Sequence, residues 1–526
     1  MKKLLLTALF IALLNFIVHF ILNNDYALSW DYHFHYYGGL YHLGLPVPKP
    51  GDASVIPFTL PDPRLTVDDP FGPFISIVPT LSQYLFYDKW HLLARDSAYN
   101  LPMVMIGSLG VGVMYLFMSE LFTPFVGLFS SLFLSLLPVY FGYTHNNMKD
   151  IPNAVLFAFT IYFFWRLVKY KKTKDLIISS LFFAVSFNFK INSIFIPLIC
   201  FLWYIFVHHR GVLNIFKNKS SLFFLIAPIF ALIIWWPFWK DPLGKLLMMP
   251  AYFTKNTIYI PVLYFGKIIY SGVNIPLSYP YAYLAVTTPL PILFFFFMGI
   301  IESGYVLFTN SKFKNGIILL LLWFFVPLSR YLSPQMGAID GVRHFLEVVL
   351  PLCALASFGL YSAFTKIFKT LRYEIIKYMI CLTIIFLLIR NLVVYHPYQT
   401  SYYNSLIGGL KGAVGQFDID FWGTPQKEAV LWLNKNAPLN SKIYIAMAQS
   451  TAATYLRADL LEHVNKNPLL QSDYVVILNR QSFFKLSGVE DYINDKEFKD
   501  KIVYQKTIEE VPLVWVISRQ KPSVIR

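Results

Sequence analysis

Apolar runs about as long as a membrane span recur through this 526-residue chain, near residues 3–22, 98–118, 124–143, 151–168, 176–189, 193–207, 221–239, 282–308, 316–332, 344–364 and 378–395. A helix crossing a bilayer needs about 20 mainly apolar residues. In hydrocarbon, only a helix or a closed barrel satisfies its own backbone. The runs therefore predict about eleven transmembrane helices in a mainly α, polytopic membrane protein. Composition agrees, with 56% hydrophobic and 14% charged residues, against about 25% charged in a soluble chain. The first run reads as a retained signal-anchor. It is longer than a signal-peptide core and no small-x-small cleavage site precedes Asp25.

The fifth and sixth runs are short and are split by Asn188–Asn192 (NFKIN). Read as two helices, they leave every basic loop on one side: Lys169–Lys174, Arg210–Lys219, Lys312–Lys314 and Lys366–Lys377. That is the positive-inside pattern. It accounts for the net charge of +15 without a stripe for reading DNA or RNA, so nucleic acid is not an expected partner. The alternation places Asn23–Ser97, a long first loop, outside the cytoplasm, and predicts an integral protein of the plasma membrane. Cys200, Cys353 and Cys381 lie within apolar runs, with no disulfide or metal spacing, and read as small hydrophobes.

Beyond about Tyr395 the pattern changes. Thr424–Asn436 has helical spacing with Thr424 as N-cap. Lys442–Ala448, Asp473–Asn479 and Pro512–Ser518 read as strands, with a helix over Ser450–Leu456. This divides the chain into a membrane unit over 1–395 and, over 396–526, a linker and small extracytoplasmic α/β domain. The loop Leu247–Pro280 and the stretch Pro70–Tyr87 have the aromatic, amphipathic character of interfacial segments.

Five polar clusters fall at the mouths of the apolar runs, all on the predicted outer face: Trp30–Gly39 (WDYHFHYYGG), Asp68–Pro73 (DDPFGP), His145–Pro152 (HNNMKDIP), Asn188–Asn192 and Asp340–Phe345 (DGVRHF). Charge at such depths is costly unless it faces protein or water, so it marks function by default. Asp31 suits a general base, or a polar cap beyond the first helix with Trp30 as an interfacial anchor. With His33 and His35 it also has part of a metal-ligand set. Asp150 is either a helix-start acid favoured by the macrodipole or a second carboxylate facing Asp31. Lys190, Arg343 and His344 are cations on the face where the bias runs against them, which fits a phosphate ligand; snorkelling is the alternative for Lys190. Asp241 reads as a turn cap, and Asp68 and Asp69 as a loop turn or a substrate contact.

Together these motifs resemble the type-C membrane glycosyltransferases, in the protein mannosyltransferase and aminoarabinose transferase group (glycosyltransferase family 39-like). The resemblance runs over about the first 430 residues. It rests on Asp31 with His35–Gly39, Asp69–Pro73, Asn147–Pro152, Lys190–Asn192, Trp236–Pro242, Asp340–Phe345 and His396–Gly409. The chain departs from the group at Tyr32, where an acidic residue is frequent, and at Met148, where proline is. The resemblance implies a type-C architecture and an inverting transfer of sugar from a polyprenyl phosphate to an acceptor hydroxyl outside the cytoplasm. Asp31 would be the base, titrating above a free aspartate in a partly dry cleft, with Asp150 completing the pocket. His35, Asp69, Lys149, Lys190, Asn192, Asp340, Arg343 and His344 would hold substrate, the cations holding the lipid phosphate. No metal or other cofactor is required by such a mechanism. The acceptor, whether protein, glycolipid or polysaccharide, is not named by the sequence. A transporter or flippase of lipid-linked glycans is the competing reading, but the charges crowd one face instead of the bilayer centre and no internal repeat is visible.

Overall fold

The computed structural model describes residues 2–48, 72–208, 218–254, 259–366, 374–495 and 499–519. Asp68 and Asp69 lie outside these residues. The membrane unit contains α1 (Lys2–Leu22), α2 (Tyr32–His42), α3 (Phe74–Gln83), α4 (Arg95–Leu121), α5 (Pro124–Ser135), α6 (Pro138–Asn146), α7 (Asp150–Tyr170), α8 (Thr173–Phe189), α9 (Phe195–His208), α10 (Phe223–Ile234), α11 (Pro242–Thr254), α12 (Tyr279–Thr287), α13 (Leu290–Phe308), α14 (Lys314–Leu328), α15 (Val349–Lys366) and α16 (Glu374–Val394). Every apolar run of the sequence contains a helix. Among the described residues seven helices are long and apolar enough to cross a membrane, or eight if the pair α5–α6, bent by 62°, forms one span. Pro138 opens the second half of that pair, where its missing N–H costs no hydrogen bond.

α1 shows what surrounds the bundle. Leu9, Phe10 and Leu13 are each more than half exposed, although water would not tolerate such a face. The protein is an integral membrane protein, and these side chains meet lipid.

The Asn188–Asn192 segment is a hairpin apex between two separate short helices, as the loop charges required. At its tip Lys190 is paired with Asp150, at the start of α7. At the far end of α9, the Trp203 ring lies against Phe164, low on α7. α9 therefore runs back along the direction of α8. α10 returns toward the apex, with Phe223 against Phe164 and Trp235 against Phe187.

Two of the apolar, aromatic loops hold regular structure. α3 continues into a π-helical turn over Tyr84–Lys89. Within Leu247–Pro280, α11 is followed by an antiparallel hairpin of β1 (Pro261–Tyr264) and β2 (Lys267–Tyr270). Asp241 caps a turn, accepting from Gly244 N at 3.0 Å.

Toward the C-terminus, α17 (Gln426–Asn436) precedes a four-stranded sheet of β3 (Ile443–Ile445), β4 (Tyr474–Leu478), β5 (Ile502–Ile508) and β6 (Val511–Ser518), in the order β3-β4-β6-β5. β3 and β4 are parallel; β6 is antiparallel to both of its neighbours. Alternate side chains face opposite sides. Val476, Val514 and Val516 pack with Ala429 and Leu433 of α17, whereas Val475, Ile477 and Ile517 pack in a second cluster with Phe483 and Trp30. Two sequence expectations are corrected here, and one strand was missed. α17 begins after Pro425 with no side-chain cap, so Thr424 does not cap it. The helix expected over Ser450–Leu456 is a shorter piece at Gln449–Ala453. The edge strand Ile502–Ile508, whose register on β6 shifts between Ile502 and Tyr504 and between Lys506 and Thr507, was not anticipated.

Candidate active site

Asp31 stands at the N-terminus of α2, where the chain leaves the end of α1 and turns along the bundle. Positions 31 and 35 share one helix face and positions 33 and 37 another. His35 accordingly meets Ser76 of α3, Nδ1 to Oγ at 3.1 Å, while His33 meets Thr454 at 3.3 Å. The two histidines diverge, and the metal set suggested by their spacing does not form. Among the described residues, no three His, Cys, Asp or Glu side chains gather into a metal-holding group. The approach of α2 to α3 needs Gly39, because a Cβ there would run into the Thr80 side chain and the Ser76 carbonyl.

The Asp31 carboxylate meets two cations from distant segments. Lys149 Nζ lies 2.6 Å from Oδ2 and Arg343 Nη1 lies 3.6 Å from the same oxygen. No hydrogen bond to Oδ1 is seen among the described residues, and the side chain is 32% exposed. Burial alone would raise this carboxyl. Lys149 and Arg343 outweigh burial and hold it well below the usual aspartate range. The expectation that Asp31 titrates above a free aspartate is therefore reversed. Burial and Lys149 push His35 down, so its imidazole is neutral.

Arg343 links Asp31 to Asp340, its Nη2 lying 3.1 Å from Asp340 Oδ2. The Arg343 guanidinium also stacks over the Trp422 ring, 4.8 Å from its centroid. The other Asp340 oxygen takes Arg480 Nη2 at 2.7 Å. A chain of alternating charge thus runs Asp31, Arg343, Asp340, Arg480, from the membrane unit into the C-terminal domain. Asp340 sits at φ 56°, a left-handed position that Asp tolerates better than most residues.

Asp150 lies beside this chain without facing Asp31. It is buried, with Oδ2 accepting from Asn147 Nδ2 at 2.8 Å and Oδ1 paired with Lys190. The side-chain oxygen Oδ1 of Asn147 accepts from the Lys149 and Asp150 amides at 3.0 and 2.8 Å, fixing the turn that aims Lys149 at Asp31. Asn192 donates to the His344 carbonyl at 3.0 Å, which Arg330 also meets. These contacts join Asp31, Lys149, Arg343 and Asp340, pair Asp150 with Lys190 and tie Asn192 to His344, whereas His35 and His33 turn to Ser76 and Thr454, and Asp68 and Asp69 lie outside the described residues.

A cavity of about 230 Å³ opens over Asp31. Asp340 and Arg343 form its charged wall; Trp30, Phe421, Trp422 and Phe483 form its aromatic one, with Arg480 between them. Four of these residues come from beyond position 420. Sequence reading missed them, because the only signal, an Arg after a buried strand followed by QSFF, has no motif value alone. Trp30 lies in this wall, its ring edge against Phe483 at 5.7 Å, and is no interfacial anchor. Arg480 is held by the Phe421 carbonyl at 3.0 Å and stacks on Phe483, 3.9 Å from the ring centroid. Nearby Asp418 and Asp420 are buried carboxylates. Burial pushes Asp420 up to about 6 despite hydrogen bonds from the Trp422 and Gly423 amides.

The comparisons with known proteins bear on this geometry. Residues 85–239 match the family model of dolichyl-phosphate-mannose-protein mannosyltransferases. That stretch holds Lys149, Asp150 and Lys190, and excludes Asp31, Arg343 and Arg480. The structure of ArnT from Cupriavidus metallidurans bound to undecaprenyl phosphate superposes over 97% of both chains, with a TM-score of 0.51 at 11% identity. The chain has the type-C glycosyltransferase fold. The type-C likeness extends to the apo form of the same ArnT, at a TM-score of 0.50, 12% identity and 98% coverage of each chain. An Archaeoglobus fulgidus oligosaccharyltransferase tethered to an acceptor peptide aligns at a TM-score of 0.47 and 13% identity, over 96% of this chain and 72% of that one. No protein of curated function matches. The match of residues 85–239 to the mannosyltransferase model is in line with the resemblance that the sequence motifs carry.

Proposed function

We propose that this protein transfers a sugar from a polyprenyl-phosphate donor to an acceptor hydroxyl, on the extracytoplasmic face of the plasma membrane and with inversion. One observation carries the reading. Asp31, kept ionised by Lys149 and Arg343, presents an oxygen with no hydrogen-bond partner among the described residues beside a ring-sized, aromatic-walled cavity. The cavity is smaller than the ~300–1,000 Å³ of drug-sized sites, which suits a single sugar ring. The matching family acts on dolichyl-phosphate mannose, and the fold relative ArnT has been seen with undecaprenyl phosphate. In this reading residues 1–395 bind the donor, and the domain over 396–526 closes the cavity.

In the proposed step, the acceptor O–H donates to Asp31 Oδ1. As the acceptor oxygen attacks the anomeric carbon, its proton passes to Asp31, and the C–O bond to the lipid phosphate breaks with its electron pair leaving on phosphate. A depressed carboxylate pKa makes Asp31 a weak base, so the transfer comes late, when the attacking oxygen has become acidic. The proton also neutralises the partner of Lys149 and Arg343 at the moment the departing phosphate gains charge. Those cations, with Lys190, then face the phosphate. Asp150, whose oxygens are both engaged, positions Lys190.

The test is sugar transfer in membranes from a panel of polyprenyl-phosphate sugars, wild type against Asp31→Asn at matched expression. A loss of about 10²–10⁴-fold in the variant is expected for removal of a general base. Equal transfer by both would remove Asp31 from the mechanism.

A further inference from the structure

α2 separates two cavities. Asp31 faces the one described above. Tyr32 with Tyr36, and His33 with Tyr37, are i,i+4 pairs that face a second cavity of about 250 Å³, which shares no residue with the first. Tyr87, Asp88 and Arg95 form its opposite wall, and Thr454 of the C-terminal domain closes one end.

The chemistry of this second lining is distinctive. Tyr32 and Tyr36 stack at 5.3 Å between ring centroids, and Arg95 lies over the Tyr87 ring at 5.4 Å. Asp88 and Arg95 line one space, yet among the described residues neither makes an ion pair; the Arg95 guanidinium has only a long hydrogen bond of 3.5 Å to the Tyr87 hydroxyl. His33 is buried, with Nδ1 lacking a partner among the described residues. Tyr87 and Asp88 are delivered by the π-helical turn Tyr84–Lys89. Such turns are rare and are frequent at functional sites.

A sugar ring matches this wall. Each hydroxyl both donates and accepts, so neighbouring hydroxyls meet a carboxylate and a guanidinium together, while the ring's C–H face lies on tyrosine. A phosphate or other anion would be repelled by Asp88, and a purely apolar ligand would strand both charges. We propose that the pocket is a saccharide-binding subsite taking one neutral pyranose unit of the acceptor, set about one helix width, ~10 Å, behind Asp31. The assignment to the acceptor rests on the glycosyltransferase reading; the saccharide chemistry does not.

The experiment is saturation-transfer NMR on the full-length protein in detergent, with methyl glucoside, mannoside and galactoside as probes and glycerol as control. Wild type and Asp31→Asn should both saturate at least one glycoside and not glycerol. Arg95→Gln and Asp88→Asn should weaken that binding on the order of tenfold, as expected for one lost hydrogen bond to a charged group. Arg95→Lys should recover part of it. Matched gel-filtration profiles and melting temperatures guard against misfolding. The proposal is overturned if no glycoside binds, if all variants bind alike, or if binding is lost in Asp31→Asn and kept in Arg95→Gln, which would put the sugar in the first cavity. Because Asp31→Asn tests transfer separately, loss of the catalytic reading and loss of this subsite give different results.

Discussion

Lys149 and Asp31 are 118 residues apart in sequence and 2.6 Å apart in space. The lysine comes from the turn before α7 and the aspartate from the start of α2, so the pair ties the first loop to the bundle at the point where the proposed chemistry occurs.

Removing that lysine should shift the pH dependence of transfer. The folded pKa of Asp31 lies below its unfolded value, near 3.9, so ionised Asp31 contributes stability above that value and loses it as pH falls through the folded pKa. In Lys149→Met the carboxyl climbs back, and the acidic limb of the pH–rate profile should move to higher pH. An unchanged limb would show that Asp31 is not the titrating base.

Asp420 has the opposite sign. Its folded pKa is raised to about 6 by burial, so the folded state binds the extra proton, and stability falls as pH rises from about 4 to about 6. Asp420→Asn keeps an oxygen for the Trp422 and Gly423 amides. It should raise the melting temperature at pH 8, by at most about 3 kcal/mol of stability, with the gain disappearing below about pH 4. Thermal unfolding in detergent at the two pH values measures it.

Arg480→Ala should be more damaging than a surface change. It leaves Asp340 buried with one of its two cations gone, a loss of about 3–5 kcal/mol for a broken buried pair. Arg480→Lys should restore little, since an ammonium cannot both fork between Asp340 and the Phe421 carbonyl and stack on Phe483. Limited proteolysis between α16 and α17 reports the loosened junction.

Gly39→Val should separate α2 from α3, at about 1–3 kcal/mol for overpacking. Transfer should fall with stability, because His35 and Asp31 ride on the displaced helix. A variant with wild-type melting and full transfer would contradict the packing described at Thr80 and Ser76.

The bundle was legible because each run of apolar residues has to bury or coat its own backbone, and the hairpin at Lys190 because charge in the loops admits one parity. The polar clusters were legible for a related reason: charge at the end of a span needs a cause. What escaped was everything set by distant partners. Asp31 seemed destined for a raised pKa as long as its neighbours were residues 30 to 39, and the reversal comes from residues 149 and 343. His33 and His35 looked like a pair until the helix turned them apart. Arg480 carries no local mark of its use, since its partners are a carboxylate 140 residues earlier and the ring of Phe483.

Arg480 follows β4, and β4 is held by β6, with Leu478 opposite Val514. During synthesis the helices enter the membrane long before residues 511–518 leave the ribosome. The cavity over Asp31 then lacks a wall, and a nascent chain carries Asp31 without the cavity beside it. On the proposed function, transfer waits until β6 has been made and exported, which keeps partly made copies from acting on the donor.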